Sequence, residues 1–245
     1  MILAVDAGNS RVKWGIFDGD WLAQGAVTNS DIVRLGEAWK HYGRPHQIVV
    51  SNVAGEKVRS LLSVLFIRWR LAPLWIRAKK TQCGVTNRYS EPHELGCDRW
   101  AALIGAWHSN PTPTFPTPTL VVSLGTAMTV DALNEAGEFV GGIIVPGITV
   151  MQECLARKTS TLEVLPGQFK PFPENTADAI FTGAILALAG AVDRMVKIFM
   201  SGSERIVVTG GGAPLLLPHL PQGTQHQENL VLKGLIHIAQ EKVTA

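Results

Sequence analysis

The sequence predicts an α/β protein made of two related lobes, and three features support this prediction. An apolar strand that runs into a small polar turn with a glycine occurs twice, over residues 2–14 and 120–131. After the first copy, strand and helix patterns alternate, which is typical of α/β lobes. Residues 111–119 contain closely spaced prolines that cannot continue a helix. The predicted lobes are therefore residues 1–112 and 118–245.

The first lobe begins with three strands and continues with alternating helices and strands. Asp18-Gly19-Asp20 supplies a hairpin turn between the second and third strands. Apolar residues at i, i+3, i+4 and i+7 give one apolar face to a helix that starts at Asp98. The predicted elements are strands at 2–6, 11–17 and 20–26, a helix at 31–42, a strand at 47–53, a helix at 56–69, a strand at 74–76, a polar loop at 79–96 and the helix from 98.

The second lobe repeats the opening three strands and is richer in helix. A short strand enters Gly210-Gly211-Gly212, where a backbone without β-carbons can approach a ligand closely. The apolar run 179–192 is shorter than the roughly 20 residues that a bilayer needs, so it predicts a buried helix with part of its surface at an interface. The predicted elements are strands at 120–123, 127–133 and 139–145, helices at 148–156 and 176–200, a strand at 205–209 and a helix at 230–243.

Composition excludes several classes of protein. The chain has 245 residues, of which 46% are hydrophobic and 17% charged, with a net charge of +2. These values are typical of a globular protein and argue against a disordered or strongly nucleic-acid-binding one. Three cysteines without metal-ligand spacing predict reduced thiols in the cytoplasm. Asp6 interrupts the apolar N-terminus, so no signal peptide is expected.

The first glycine turn carries chemical groups suited to phosphate. Asp6 is followed by Gly8, Asn9 and Ser10, and Lys13 adds positive charge nearby. Such a turn offers a carboxylate for a hydrated cation and several donors for phosphate oxygens. The alternative is a plain type I′ hairpin turn. The second copy, at Gly125-Thr126, favours nucleotide binding.

A second candidate site lies at the start of the helix from Asp98. Gly96, Asp98 and Arg99 place an acid and a permanent cation together after a glycine, so the acid could accept a proton and the guanidinium could bind an anion. The alternative is an ordinary N-cap Asp with a surface Arg. Thr176 could cap the long apolar helix and contact a ligand. Cys97 is interpreted as a packing residue, and the P-loop and Gly-x-Gly-x-x-Gly signatures are missing.

Six motifs, in this order, resemble those of type III pantothenate kinases, including the branch called Bvg accessory factor homologues. They are residues 6–13, 87–89, 96–99, 125–131, 141–147 and 230–235. The resemblance implies two RNase H-like lobes of the acetate and sugar kinase, Hsc70 and actin superfold. It also implies phosphorylation of pantothenate by ATP with Mg and a monovalent cation, potassium or ammonium. The family is dimeric and cytoplasmic.

The resemblance also implies roles for individual residues. Asp98 is the expected general base, and no metal site made solely of protein ligands is expected. The residues expected to contact ATP are Asp6, Ala7, Gly8, Asn9, Ser10, Arg11, Val12, Lys13 and Thr126. The residues expected to contact pantothenate are Tyr89, Gly96, Cys97, Asp98, Arg99 and Thr176.

Ser123 departs from the family pattern, in which an Asp at this position is the usual ligand of the monovalent cation. A hydroxyl coordinates a cation more weakly than a carboxylate, so the cation would be bound loosely, held by backbone carbonyls, or absent. Two alternatives to pantothenate kinase follow. One is another small-molecule kinase or phosphohydrolase of the superfold, and the other, motivated by Ser123, is a non-catalytic accessory or regulatory protein.

Overall fold

The computed structural model describes residues 1–110, 117–159, 165–199 and 205–241. Most of the proline-rich segment predicted as a domain boundary lies outside these residues. The chain forms two compact units. Unit 1 comprises Met1–Pro113, Gly137–Phe139 and Asn229–Ala245, and unit 2 comprises Thr114–Ala136 and Val140–Glu228.

The N-terminal part of unit 1 is an α/β sandwich with short helices. Its elements are β1 (Ile2–Ala7), β2 (Arg11–Phe17), β3 (Trp21–Thr28), α1 (Leu35–Ala38), β4 (Gln47–Asn52), α2 (Glu56–Phe66), β5 (Leu74–Trp75), β6 (Thr81–Gln82), β7 (Val85–Asn87) and α3 (Cys97–His108). The helix predicted at 31–42 is shorter than expected, because a 3₁₀ turn at Asn29–Arg34 precedes the single turn of α1.

The main sheet of unit 1 has the strand order β3-β2-β1-β4-β5. The β1-β2 and β2-β3 pairs are antiparallel, which confirms the predicted meander, whereas β1-β4 and β4-β5 are parallel. Asp6 lies opposite Ser51, and Ala7 opposite Asn52. Because parallel strands end at the same edge of a sheet, the carboxyl ends of β1, β4 and β5 form one edge, where α/β proteins commonly bind ligands.

Apolar residues on one face of this sheet form the core of unit 1. Trp39, Leu62 and Phe66 are almost completely buried, and the Trp39 ring stacks on Phe66 with centroids 5.8 Å apart. Burial of each such side chain stabilises the fold by about 2 kcal/mol. The core therefore fixes α2 against the sheet whose edge carries Asp6.

The predicted polar loop at 79–96 contains a hairpin, β6-β7, whose antiparallel strands pair Gln82 with Val85. The two turn residues, Cys83 and Gly84, have φ of 49° and 77°. Positive φ at both positions defines a type I′ turn, which favours short twisted hairpins. Strands of two and three residues are too short to show a periodic pattern, which explains why the sequence did not predict them.

Unit 2 repeats the sheet order of unit 1. Its elements are β8 (Thr119–Leu124), β9 (Ala127–Leu133), β10 (Glu138–Pro146, from Val140 onward), α4 (Ile148–Lys158), α5 (Thr176–Phe199), β11 (Arg205–Thr209), α6 (Ala213–Leu216) and β12 (Gln225–His226). The strand order is β12-β11-β8-β9-β10, with β8-β9 antiparallel and β8-β11 and β11-β12 parallel. The predicted internal repeat is therefore visible as one topology used twice.

The last helix, α7 (Leu230–Gln240), packs on α3 within unit 1. Division of the chain at the proline-rich segment would leave this helix in the second lobe. The close contact depends on glycines, because a Cβ on Gly234 would lie 1.8 Å from the carbonyl oxygen of Ala101 and one on Gly105 would lie 2.4 Å from that of Leu230. Unit 1 is thus discontinuous in sequence.

Helix α5 is long and apolar enough to cross a membrane, by length and composition alone. A third of its most apolar window is buried, and a single helix of this kind is weak evidence for a span. Within unit 2 it packs on β9, α4 and α6. Ile185, Leu188 and Val192 are buried on one face, whereas Leu186 and Ile198 are 53% and 67% exposed. The prediction of a buried helix is therefore met on one face only.

Candidate active site

Asp6, near the carboxyl end of β1, is the most strongly perturbed carboxylic acid near the predicted phosphate turn. Its Oδ1 is buried and has no hydrogen-bond partner among the described residues. Burial, and then the negative charge of Asp98, raise the pKa of Asp6 to about 7, while Lys13 and a hydrogen bond from Ser51 oppose this rise. A buried, unpartnered carboxylate oxygen next to a second acid is well suited to bind a cation.

The turn after β1 is held by the side chain of Asn29. The amide nitrogen Nδ2 of Asn29 donates to the carbonyl oxygens of Gly8 (3.1 Å) and Asn9 (2.8 Å), and the amide of Gly8 donates to the carbonyl of Arg11 (3.0 Å). Gly8, Asn9 and Ser10 have no positive φ, so the turn is not the type I′ turn considered as the alternative. These contacts fix the backbone that would face phosphate oxygens.

Asp98 lies in the first turn of α3. Its Oδ1 accepts a hydrogen bond from the backbone N–H of Arg99 (2.8 Å). A Cβ on Gly96 would lie 2.6 Å from this oxygen, so glycine at position 96 leaves room for the Asp98 side chain. The helix begins at Cys97 with Gly96 as its N-cap residue, which excludes the alternative of an N-cap Asp.

Arg99 is buried, with 7% of its surface exposed, rather than the surface residue considered as the alternative. Its guanidinium lies 6.0 Å from the ring centre of Tyr89 and 5.8 Å from that of Phe139, and its Nη1 lies 3.4 Å from the Tyr89 hydroxyl. Asn87 is fully buried and accepts a hydrogen bond from the Tyr89 amide (3.0 Å). The 87–89 motif thus presents Tyr89 to Arg99.

Cys97 connects α3 to the sheet. Its Sγ lies 3.4 Å from the hydroxyl of Ser51, the residue of β4 that also bonds Asp6. Burial raises the pKa of the Cys97 thiol, so it stays protonated and is a poor nucleophile. Unit 1 therefore brings together the predicted residues Asp6, Lys13, Cys97, Asp98, Arg99 and Tyr89 around its sheet edge.

In unit 2, Thr126 lies in the equivalent turn between β8 and β9. The carbonyl of Thr126 accepts a hydrogen bond from the amide of Gly147 (2.9 Å), and a Cβ on Gly147 would lie 2.3 Å from the carbonyl oxygen of Gly125. Gly212 donates to the carbonyl of Leu124 (3.0 Å). Gly147 and Gly212 therefore allow the backbone to pack closely around the turn between β8 and β9.

Ser123 is the residue of β8 that departs from the family pattern. It is half-buried and pairs with Thr129 of β9, whose Oγ1 is buried without a hydrogen-bond partner among the described residues. Within the described ranges, no cluster of three or more His, Cys, Asp or Glu could hold a metal ion. The hydroxyls of Ser123 and Thr129 are therefore neutral oxygens that β8 and β9 offer at this position.

Thr176 is the exposed first residue of α5. Asn175 caps this helix, because its Oδ1 accepts the N–H of Asp178 (2.9 Å), so the prediction that Thr176 is the cap is wrong. Asp178 accepts hydrogen bonds from the amide of Gln168 and from Asn175 and pairs with Lys170, which lowers its pKa to about 2. This network fixes the segment that presents Thr176.

Three residues that hold the predicted site were not found from the sequence. Asn29, Ser51 and Asn175 are single polar residues whose partners lie on other segments or depend on the exact start of a helix. Their positions follow from strand register and helix bounds, which motif spacing does not provide. Ser51 would have been a candidate once β1 and β4 were paired, because the pairing places it opposite Asp6.

The repeated sheet topology, with a glycine turn after the first strand of each sheet, is the fold of the acetate and sugar kinase, Hsc70 and actin superfold. The model of the type III pantothenate kinase family matches residues 2–198. A type III pantothenate kinase of Nitrosospira multiformis is 44% identical over 245 residues, which cover 98% of this chain and 92% of the relative. The chain belongs to the type III pantothenate kinase family.

Solved structures show the same fold at lower sequence identity. A conserved protein of Campylobacter jejuni described as a Baf family transcriptional activator has a TM-score of 0.61 and 20% identity, with 97% of each chain covered. A protein of Sinorhizobium meliloti described as a 2-dehydro-3-deoxygalactonokinase has a TM-score of 0.59 and 14% identity, with 98% of each chain covered. Both likenesses concern the fold alone.

Proposed function

We propose that this protein phosphorylates pantothenate with ATP to give 4'-phosphopantothenate, the first step of coenzyme A biosynthesis. The sequence is 44% identical to that of a type III pantothenate kinase over 98% of this chain, which supports this activity. The observation in the site that carries it is the pair formed by Asp98 and Asp6, close enough for one charge to raise the pKa of the other. Asp98, the proposed base, therefore lies near Asp6 and the turn at 8–13 that is suited to phosphate.

Asp98 is the general base of the proposed reaction. Its carboxylate accepts the proton of the pantothenate primary alcohol as the alcohol oxygen bonds to the γ-phosphorus of ATP. The bond between this phosphorus and the β,γ-bridging oxygen breaks, and ADP leaves. An ordinary carboxylate suffices because the alcohol loses its proton only as the new bond forms, and most of the barrier is lowered by positioning and charge neutralisation.

The residues assigned to ATP are 6–13 and Thr126. Lys13 of β2 lies opposite Asp6 of β1 in the strand register. Its ammonium group supplies positive charge for phosphate oxygens. The buried Oδ1 of Asp6, which has no protein partner among the described residues, fits a Mg²⁺ ligand. When bound, Mg²⁺ would neutralise phosphate charge, and it normally takes one or two carboxylates together with phosphates and water.

The residues assigned to pantothenate are Tyr89, Gly96, Cys97, Asp98, Arg99 and Thr176. Arg99 is suited to the substrate carboxylate, because a guanidinium forms paired, charge-assisted hydrogen bonds with it. Its aromatic neighbours restrain the side chain and reduce the entropy lost on binding. The pocket would thus recognise the acid end of pantothenate while Asp98 meets the alcohol.

Further properties of the proposed enzyme follow from the family. They are a homodimer and a cytoplasmic location. The proline-rich segment is the proposed boundary between the lobes apart from α7, which packs in unit 1, and composition predicts no nucleic-acid or membrane partner. A monovalent cation, potassium or ammonium, would be held at Ser123 by neutral oxygens, and the unpartnered hydroxyl of Thr129 is a candidate ligand. Weak coordination predicts a loosely bound cation.

A single assay tests the proposal, namely pantothenate-dependent ADP release with and without potassium or ammonium. Asp98→Asn should lower the rate by about 100- to 10,000-fold, the usual contribution of a general base, while Glu135→Gln, at an exposed position between β9 and β10, should leave it unchanged. An unchanged rate in Asp98→Asn would contradict the assigned base. Turnover of sugars or acetate but not pantothenate would favour another kinase, and ATP binding without turnover would favour an accessory protein.

A further inference from the structure

Unit 1 contains a cavity of about 430 Å³ at the carboxyl ends of β4 and β5. Its walls come from α2, from the segment after β5, from the 3₁₀ turn at Pro92–Glu94 and from the start of α3. The volume lies within the range of about 300–1,000 Å³ that is typical of small-molecule sites. None of the side chains that give this cavity its charge has a role in the proposed phosphoryl transfer.

The charge of the cavity is positive. Arg59 and Arg77 contribute two permanent cations, whereas Glu94 contributes the one carboxylate among the lining residues, and His93 adds an imidazole. Neither arginine takes part in an ion pair with another described residue. A concave surface with this excess of guanidinium groups attracts an anion.

One of these cations is held in place before any ligand binds. The guanidinium of Arg59 lies 4.7 Å from the ring centre of Trp75, and that ring lies 6.3 Å from Phe66, which is 1% exposed in the core. The ring contact restrains Arg59, so less side-chain entropy is lost when its N–H groups bind a ligand. Ile76 and Leu95 supply apolar walls beside the charges.

The position of the cavity is also that of a ligand site. β1, β4 and β5 are parallel, and their carboxyl ends form the edge that carries Asp6. Ligands of α/β sheets bind at this edge. The cavity reaches Gly96 and Cys97, the residues that precede Asp98.

We propose that this cavity is an anion-binding site for a small molecule that carries a phosphate or carboxylate group, with Arg59 and Arg77 as the binding residues. The site is separate from the turn at 8–13, to which the ATP phosphates are assigned, and its binding residues differ from Arg99, although its wall shares Gly96 and Cys97 with the residues assigned to pantothenate. Phosphate and carboxylate share the chemistry that the planar guanidinium recognises, so the two sources must be distinguished by measurement.

The test measures the binding of anions to the protein by calorimetry. The protein is free of nucleotide and magnesium, and the ionic strength is low. Inorganic phosphate and acetate are the two probes, and preference for one identifies the group. The double variant Arg59→Gln with Arg77→Gln should weaken binding of the preferred anion by at least about tenfold, because it removes both charge-assisted contacts. Arg88→Gln, which removes a partner of Glu138 outside the cavity, should leave binding within about twofold. Lys13→Gln changes the turn assigned to ATP and should leave the anion bound in the cavity.

Three results would overturn the proposal. They are no saturable binding of either anion to the wild type, equal binding by the double variant, and loss of binding in Lys13→Gln or Arg99→Gln alone, which would place the anion at the glycine turn or at the residues assigned to pantothenate. Circular dichroism and thermal unfolding of the double variant check that it is folded. Arg59→Lys, which keeps the charge and the aliphatic stem, gives a second variant if the double variant unfolds, and it should bind the anion more weakly than the wild type.

Discussion

At Asp6, burial and the negative charge of Asp98 both oppose ionisation. The pKa of Asp6 rises from 3.8 to about 7, so between these values the folded protein holds a proton that the unfolded chain has released. Folding is therefore opposed progressively as pH rises through this window, and the full cost is present above about pH 7. The rise corresponds to about 4 kcal/mol as an upper estimate.

Asp6→Asn should raise the stability of the protein at neutral and alkaline pH. Asparagine resembles the protonated acid in shape and carries no charge, so the cost of burying a carboxylate disappears. We expect the unfolding temperature of Asp6→Asn to exceed that of the wild type by several degrees at about pH 8 and by much less at about pH 5. The measurement is thermal unfolding without magnesium or nucleotide.

Glu135→Gln serves as the control for this experiment, because Glu135 is exposed in the turn between β9 and β10. Its unfolding temperature should follow that of the wild type at both pH values. A difference between Asp6→Asn and the wild type that is the same at about pH 5 and about pH 8 would show that ionisation of Asp6 does not oppose folding.

The residues of the candidate site differ in how far the sequence could reveal them. Asp6, Asp98 and Arg99 stand in local motifs whose residue types already indicate phosphate and proton chemistry. Asn29 and Ser51 hold that site from other segments, and their contacts exist only once the strands are in register. Burial of Arg99 could not be predicted either, because it depends on Tyr89 and Phe139 packing around the guanidinium.

At the level of elements, α3 and α7 approach so closely that side chains are excluded at two points. Gly234 meets the backbone of Ala101, and Gly105 meets that of Leu230. The helix that begins with Cys97 and Asp98 is therefore supported from behind by the C-terminal helix. Backbone atoms cannot move aside as a flexible side chain can, so added volume here must displace a whole helix.

Gly234→Ala should destabilise the protein by about 1–3 kcal/mol, the usual cost of overpacking, although alanine is the better helix former. Gly36→Ala is the control, because Gly36 lies in the single turn of α1 and an added Cβ would make only an ordinary contact, 3.5 Å from Leu65. It should be neutral or stabilise by up to about 1 kcal/mol. Urea unfolding measures both. Equal effects of the two changes would mean that the α3-α7 contact does not limit volume.

The same elements show where sequence patterns lose information. The start of α3 and both ends of α5 were predicted within one residue, because long periodic segments carry the strongest signal. The β6-β7 hairpin was missed because its turn uses Cys83 in a left-handed conformation, a residue type not associated with hairpins. Residues 31–42 have helical composition, yet part of this segment adopts a 3₁₀ turn whose hydrogen bonds no pattern distinguishes.

At the scale of the whole chain, the internal repeat is the feature that the sequence predicted best, and the structure adds the strand order that the two sheets share. Two apolar strands with glycine turns, β1 and β8, were sufficient to predict the repeat. Each is the first strand along the chain in its unit's sheet, and the two sheets have equivalent strand orders. The return of α7 to unit 1 was not predictable from local patterns. It depends on contacts between residues more than a hundred positions apart, which become visible only in three dimensions.

Unit 2 exposes more apolar surface than its own packing requires. A largely apolar cavity of about 620 Å³ lies between α4 and α5, and Leu155, Leu186 and Ile198 are 43%, 53% and 67% exposed. Contiguous apolar surface on a folded protein commonly marks an interface. The homodimer implied by the family would cover the exposed apolar side chains of α4 and α5. A charge placed at one of these side chains therefore tests the proposed homodimer.

Leu186→Glu should dissociate the proposed homodimer, because a carboxylate buried in an apolar interface loses its hydration without gaining a partner. We expect the dimer dissociation constant to rise by at least about 100-fold in sedimentation equilibrium, equivalent to about 3 kcal/mol. Val64→Glu is the matched control, because Val64 is a 64% exposed apolar residue of α2 in unit 1. Dimers of equal stability in both variants would exclude the exposed face of α5 from the interface, and a wild-type monomer would exclude the dimer itself.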